Sequence, residues 1–129
     1  MDKIYITADE LLSSSLKLGQ MIVEDGFCPD FIVGVWRGGT PVGIAVQELL
    51  DFCHIKTDHF AIRTSSYTGI AEQEAKVKVY GLHYLIDNMN HDDSLLIVDD
   101  VFDSGRSVKA IIHELDVHMR KNMPTDVRV

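Results

Sequence analysis

The sequence predicts a single α/β domain, residues 1–129, with a mostly parallel central sheet flanked by helices. Apolar, β-branched runs such as Leu95–Val98 are typical of strands covered on both faces, as parallel sheets require. Segments with helical spacing of apolar residues alternate with these runs. No internal repeat, low-complexity tract or linker-like run divides the chain, and 129 residues is the length of one domain.

Each element has its own local signal. Thr7 and Glu10 form a capping box at the start of the first helix, and Gly26 ends that helix. Pro41 is a residue that can open the second helix. Apolar runs and helical spacing predict the rest. The predicted order is approximately a helix over 8–25, a strand over 31–35, a helix over 41–50, strands over 57–62, 76–82 and 94–99, a helix over 107–121 and a strand over 127–129.

Composition limits the classes of partner. With 46% hydrophobic residues the chain can bury a core, which excludes intrinsic disorder. The net charge of −8 disfavours nucleic acid and anionic membranes as partners, so any phosphate site must be local. Cys28 and Cys53 are interpreted as reduced core thiols, and no signal peptide or apolar run of membrane length is found. We therefore expect a cytoplasmic protein.

Ligands of open parallel sheets bind beyond the carboxyl ends of the strands, which directs attention to the loops after Val35, Ile62 and Val98. The last of these loops lies in the run VDDVFDSGRS, residues 98–107. Its two serine hydroxyls, its glycine and the amides that open the next helix suit a phosphate. Its acidic pair suits vicinal sugar hydroxyls and Mg²⁺. Together they predict a site for a phosphorylated ribose.

This run resembles the phosphoribosyl pyrophosphate (PRPP) signature of the type I phosphoribosyltransferases, in particular those that use hypoxanthine, xanthine or guanine. Two serines stand where threonine is commoner, and both hydroxyls are kept. The resemblance implies that Asp99 and Asp100 hold the ribose hydroxyls and bind the cofactor Mg²⁺ through water. It also implies a 5-phosphate loop of Asp103, Ser104, Gly105, Arg106 and Ser107. Asp103 occupies the position near the base and is the candidate catalytic proton acceptor.

The loop after Val35 contains two glycines and one arginine but is neither a P-loop nor a dinucleotide fingerprint. If only the two adjacent glycines are considered, a tight crossover from strand to helix is a sufficient explanation. The resemblance favours a pyrophosphate loop instead, with Arg37, Gly38 and Gly39 at matching positions, and the family often has a cis peptide there.

The segment after Ile62 is polar through Glu74, which indicates a mobile surface loop. A solvated loop accounts for its composition. The resemblance implies a flexible loop that closes over PRPP, with Ser66 and Tyr67 matching the family dipeptide and Arg63 in reach of pyrophosphate. Closure of such a loop would exclude water from a reactive cation.

By resemblance the protein joins a purine base (hypoxanthine, guanine or xanthine) to PRPP, giving a nucleoside monophosphate and pyrophosphate, and forms a homo-oligomer. Purine-using relatives continue beyond the last predicted strand into residues that read the base, so we expect an incomplete C-terminal base-binding segment. The alternative is a non-catalytic PRPP or nucleotide sensor on the same fold. A phosphohydrolase with Asp99 as nucleophile is disfavoured because no lysine has the position in the loops that stabilising a phosphoenzyme would need.

Overall fold

The computed structural model describes residues 2–67, 76–101 and 105–129. The helices are α1 (Ala8–Glu24), α2 (Gly39–Phe52), α3 (His83–Asn88) and α4 (Arg106–Met119), with a 3-10 turn over Arg120–Asn122. The strands are β1 (Phe31–Trp36), β2 (Asp58–Tyr67), β3 (Lys76–Tyr80), β4 (Ser94–Val98) and β5 (Asp126–Arg128). Within this described part of the chain, no helix is long and apolar enough to cross a membrane.

The five strands form one sheet in the order β3-β2-β1-β4-β5. The central strand β1 is parallel to β2 and to β4, and β4 is parallel to β5. Strand β3 alone among these runs antiparallel, beside β2. The predicted α/β fold with a mostly parallel sheet and flanking helices is therefore confirmed.

Two apolar layers cover the two faces of the sheet, because alternate side chains of a strand point to opposite faces. Val33 of β1 packs in one layer with Ile111 and Leu115 of α4. Its neighbour Ile32 packs in the other layer with Val46 of α2. Every residue from Phe31 to Val35 is buried, so the central strand is covered on both sides.

The predicted boundaries of α1 agree with the structure. The Thr7 hydroxyl accepts a hydrogen bond from the Glu10 amide at 3.1 Å, and the Glu10 carboxylate accepts one from the Thr7 amide, which completes the capping box. Gly26 has a φ of +76°, the left-handed conformation that ends helices and favours glycine. These local signals are sufficient to fix both ends of the helix.

Three expectations about local structure were wrong. Strand β2 continues to Tyr67, because residues 63–67 pair antiparallel with β3 instead of forming a loop. Helix α3 was not predicted, since six residues are too few for a periodic pattern. Cys28 and Cys53 are free thiols, as expected, but both are exposed and neither belongs to the core.

Candidate active site

Three segments of the predicted site meet where strands of the sheet end. Gly34 of β1 pairs with Val98, so the loops that begin at Arg37 and Asp99 leave the sheet side by side. On the other flank, Trp36 pairs with Arg63 of β2. The parallel register therefore brings together residues that are far apart in sequence.

The two glycines of the first loop pack directly against the acidic segment. A Cβ atom on Gly38 would overlap the Asp100 carboxylate, with Oδ1 only 2.6 Å away. A Cβ atom on Gly39 would lie 2.8 Å from the Asp99 Cα and would overlap the Val98 carbonyl. Real Cβ contacts are not this short, so Gly39, which faces backbone, must be glycine, and a side chain at Gly38 would displace the Asp100 carboxylate.

The backbone of the glycine loop is compact. The peptide bond between Trp36 and Arg37 is cis, as the family resemblance implied. The amide of Thr40 donates to the Arg37 carbonyl at 3.0 Å, which closes a turn around Gly38 and Gly39. Gly39 is already the first residue of α2, two positions before Pro41, so helix and loop are continuous.

The acidic pair carries an unfavourable concentration of negative charge. Partial burial raises the pKa of Asp99, and the neighbouring Asp100 raises it further through a side-chain hydrogen bond and its charge. The Asp100 amide opposes this effect by donating to Asp99 Oδ1 at 2.9 Å. Hydroxyl donors or a cation at this position would relieve the repulsion.

The described part of the predicted phosphate loop has the backbone expected of an anion site. Gly105 has a φ of +75° and immediately precedes α4, which begins at Arg106. The start of a helix attracts anions through its amides and its dipole. The hydroxyl of Thr64 donates to the Ser107 hydroxyl at 3.3 Å, which ties β2 to this helix start. Asp103 and Ser104 lie outside the described residues.

The predicted residues of the flexible loop lie in strand β2. Ser66 pairs with Val77 of β3, and Tyr67, the last residue of β2, is exposed. The Arg63 guanidinium lies over the ring of Tyr80, with Cζ 4.6 Å from the ring centroid. The rest of the segment predicted to be a loop, residues 68–74, falls outside the described part of the chain.

Mg²⁺ fits this donor set only as a partly solvated ion. Among the described residues there is no group of three or more His, Cys, Asp or Glu side chains that could enclose a metal. Two adjacent carboxylates suit Mg²⁺, which keeps several waters and commonly binds one or two carboxylates together with ligand oxygens. Asp99 and Asp100 are the residues that would hold it.

Sequence reasoning missed two residues beside the site, Lys78 and Tyr80 of β3. The Lys78 ammonium lies 5.2 Å from the centroid of the Tyr80 ring, the same ring that the Arg63 guanidinium contacts. The signal was present in the run KVKVY, whose alternation of polar and apolar residues places both side chains on one face. The pairing with β2 that makes this face relevant is not visible in sequence.

Comparison with known proteins assigns the chain to a family. Residues 7–123 match the family model described as the phosphoribosyl transferase domain. That match covers most of the chain, which therefore belongs to this family.

A curated relative is the hypoxanthine-guanine phosphoribosyltransferase of Lactococcus lactis, 29% identical over 125 residues. This alignment spans 95% of the present chain but only 64% of the relative. Among solved structures, the purine phosphoribosyltransferase from Pyrococcus horikoshii is 27% identical with a TM-score of 0.75, covering 98% of this chain and 75% of that one. The hypoxanthine-guanine phosphoribosyltransferase of L. donovani shares the fold, with a TM-score of 0.73 and 17% identity. This match covers 98% of the present chain and 70% of that one.

Proposed function

We propose that this domain transfers the phosphoribosyl group of PRPP to a purine base, hypoxanthine, guanine or xanthine, and releases a nucleoside monophosphate and pyrophosphate. The observation that carries the proposal is the packing of Gly38 and Gly39 against Asp99 and Asp100. A diphosphate loop and a ribose-binding acidic pair are then in direct contact. PRPP carries both groups on one sugar, so one ligand satisfies both halves of the site.

Each half would bind a different part of PRPP. Asp99 and Asp100 accept hydrogen bonds from the ribose hydroxyls, because ionised carboxylates are strong acceptors. Gly105, Arg106 and Ser107, with Asp103 and Ser104, surround the 5-phosphate at the start of α4. Arg37 and the amides of Gly38 and Gly39 bind the diphosphate, for which a planar guanidinium offers paired donors.

The chemistry follows from charge development. As the bond from the anomeric carbon to the diphosphate breaks, positive charge grows on the ribose and negative charge on the leaving diphosphate. Arg37 and the loop amides stabilise the leaving group, an electrostatic contribution of the kind that dominates many enzymatic reactions. Mg²⁺, when bound, supplies further neutralisation of that charge. Asp103 accepts the proton that the base loses.

The remaining parts of the proposal concern context. The relatives named above support a purine base as the acceptor. The experiment described below determines which purine is used. We place the reaction in the cytoplasm and expect a homo-oligomer. Because the chain spans 64% of its curated relative, the activity of the whole protein is itself part of this proposal.

The test is calorimetric binding of PRPP in the presence of Mg²⁺, with pyrophosphate release measured after each purine is added. Replacing Asp99→Asn and Asp100→Asn together should weaken PRPP binding at least about 100-fold, since a charged hydrogen bond contributes about 1.5–3 kcal/mol. The matched control is Asp87→Asn with Asp92→Asn, the same charge change at exposed positions before β4.

Three results would contradict parts of the proposal. Unchanged PRPP affinity in the Asp99 and Asp100 variant would refute the ribose assignment. Tight binding without base-dependent pyrophosphate release would identify a sensor. Phosphate release from nucleotides would identify a phosphohydrolase.

A further inference from the structure

Two cations share one aromatic ring on the antiparallel ribbon formed by β2 and β3. Arg63 Cζ and Lys78 Nζ lie 4.6 Å and 5.2 Å from the centroid of the Tyr80 ring. Arg63 pairs with Tyr80, and Ser65 pairs with Lys78, so all four side chains stand on the same face of the ribbon. We call Arg63, Lys78 and Tyr80 the ribbon cluster.

The cluster has the electrostatics of an anion site. Within the described residues, neither Arg63 nor Lys78 forms an ion pair with a carboxylate, although the chain contains 20 acidic residues. A hydrogen bond from Ser65, with further contributions from Arg63 and Lys78, lowers the pKa of Tyr80. The two cations, which have no carboxylate partner among the described residues, give this face a positive local potential on an otherwise acidic protein.

The cluster also lies beside the candidate active site. Arg63 is the register partner of Trp36, and Trp36 is followed by Arg37 of the glycine loop. The next residue of β2, Thr64, faces the opposite side of the sheet, where its hydroxyl bonds to Ser107 at the start of α4. Strand neighbours are about 4.8 Å apart, so an arginine side chain at this position can reach a ligand held by the glycine loop.

We propose that the ribbon cluster is a second binding surface for the diphosphate end of the ligand, with Lys78 and Tyr80 as specificity-determining residues. This inference rests on the proposed function. A diphosphate carries several negative charges, which the guanidinium, the ammonium and the phenolic hydroxyl can all bind as donors. The Tyr80 ring holds the two cations together through cation-π contacts, so their mutual repulsion is offset before the ligand arrives.

The experiment compares three ligands, PRPP, inorganic pyrophosphate and ribose 5-phosphate, each with Mg²⁺, by calorimetry. Lys78→Gln should weaken PRPP and pyrophosphate binding by about three- to tenfold through the loss of a charge-assisted contact. Tyr80→Leu should weaken both by about two- to fivefold through the loss of the cation-π contacts. Neither variant should change the affinity for ribose 5-phosphate, which has no diphosphate.

Lys56→Gln is the matched control, because it removes the same charge just before β2. Lys56 is exposed and lies at the opposite end of that strand, about 23 Å from Arg63 at 3.3 Å per residue. The affinity of the Lys56→Gln variant for all three ligands should equal that of the unsubstituted protein. Circular dichroism checks that each variant is folded.

The possible outcomes separate this inference from the proposed function. If the unsubstituted protein binds PRPP and both cluster variants bind it equally well, the cluster has no role and the proposed function stands. An equal loss for ribose 5-phosphate would also overturn the inference, because it would show a general disturbance. If the unsubstituted protein does not bind PRPP, the proposed function fails, and the measurements with pyrophosphate then test the cluster. Pyrophosphate binding that both variants weaken would support the cluster as an anion site. An unsubstituted protein that does not bind pyrophosphate would refute it.

Discussion

The two halves of the sheet are built differently. In the parallel half, β1 is buried along Phe31–Val35 and β4 along Leu95–Val98. In the antiparallel ribbon, β3 alternates between exposed and partly buried residues. A strand covered by helices on both faces cannot place polar side chains along its length, whereas a half-exposed strand can. In the proposed site, the parallel half would therefore contribute mainly at its ends and the ribbon along its face.

This difference extends to the chemistry of the site. The parallel half positions backbone: the glycine loop and the acidic pair touch through atoms close to the main chain. The ribbon positions long side chains, Arg63 and Lys78, over one aromatic ring. Groups held by backbone contacts have little freedom, whereas side chains on an exposed face can adjust to a ligand. We therefore expect stability and ligand binding to respond differently to changes in the two halves.

The largest effect should come from the buried strand β4. Ile97 is 1% exposed and packs in the layer beneath α4. Ile97→Ala should lower the free energy of unfolding by about 2–5 kcal/mol, because it removes buried methyl groups and leaves a cavity. The measurement is equilibrium denaturation in urea.

Val79→Ala in the ribbon is the comparison. Val79 is only partly buried against the same layer, so its loss should be about 1 kcal/mol. Equal losses for Ile97→Ala and Val79→Ala would show that the ribbon is as important to stability as the parallel half.

The glycine loop provides an intermediate effect that separates stability from binding. In Gly39→Ala the new methyl group meets the backbone of Val98 and Asp99, which cannot move without shifting β4. The free energy of unfolding should fall by about 1–3 kcal/mol, as for other overpacked sites.

In Gly38→Ala the methyl group meets the Asp100 carboxylate, a side chain that can rotate away. Gly38 has a φ of −62°, which alanine adopts easily, so stability should change little. PRPP affinity should nevertheless fall at least about tenfold, because a displaced Asp100 would lose the hydrogen bond to the ribose that we propose. Calorimetry and thermal denaturation on both variants check this; a stable Gly39→Ala protein, or a Gly38→Ala protein with normal affinity, would contradict the assigned contacts.

The sequence predicts the parallel half much better than the ribbon. The capping box at Thr7 and the buried run Leu95–Val98 depend on neighbours in sequence, and both were assigned correctly. The ribbon depends on contacts between Arg63–Tyr67 and Lys76–Tyr80, which are separated by the segment 68–75. Polar residues such as Thr64 and Ser65 become strand only because β3 supplies hydrogen bonds, and single-sequence patterns do not contain that information.

The same distinction applies to the site. The acidic pair and the glycines are contiguous motifs, so the sequence alone is enough to single them out as candidates. Their mutual contact depends on the register of β1 against β4. Lys78 and Tyr80 carry no motif, and only the three-dimensional pairing with Arg63 and Ser65 indicates a role.

The smallest effect concerns the attachment of the ribbon at its far end. The Tyr84 hydroxyl of α3 donates to the Asp58 carboxylate at the start of β2, and this hydrogen bond raises the pKa of Tyr84 above its ordinary value of 10.0. The bond exists only while the phenol is protonated. Its stabilisation is therefore fully present below the ordinary tyrosine pKa and is lost as the pH rises through the raised value.

Tyr84→Phe removes the hydroxyl but keeps the edge-to-face contact with Phe60, whose ring centroid lies 5.2 Å away. We expect a lower Tm than in the unsubstituted protein at pH 8, with a loss smaller than that of Val79→Ala because the bond is exposed. The difference in Tm should begin to shrink only above about pH 10, and the two proteins should converge once the pH has passed the raised pKa of Tyr84, where both lack the bond. A difference in Tm that stays constant from pH 8 to pH values above the raised pKa would show that the hydroxyl acts through packing. The ribbon would then be held at this end by apolar contacts, as the parallel half is.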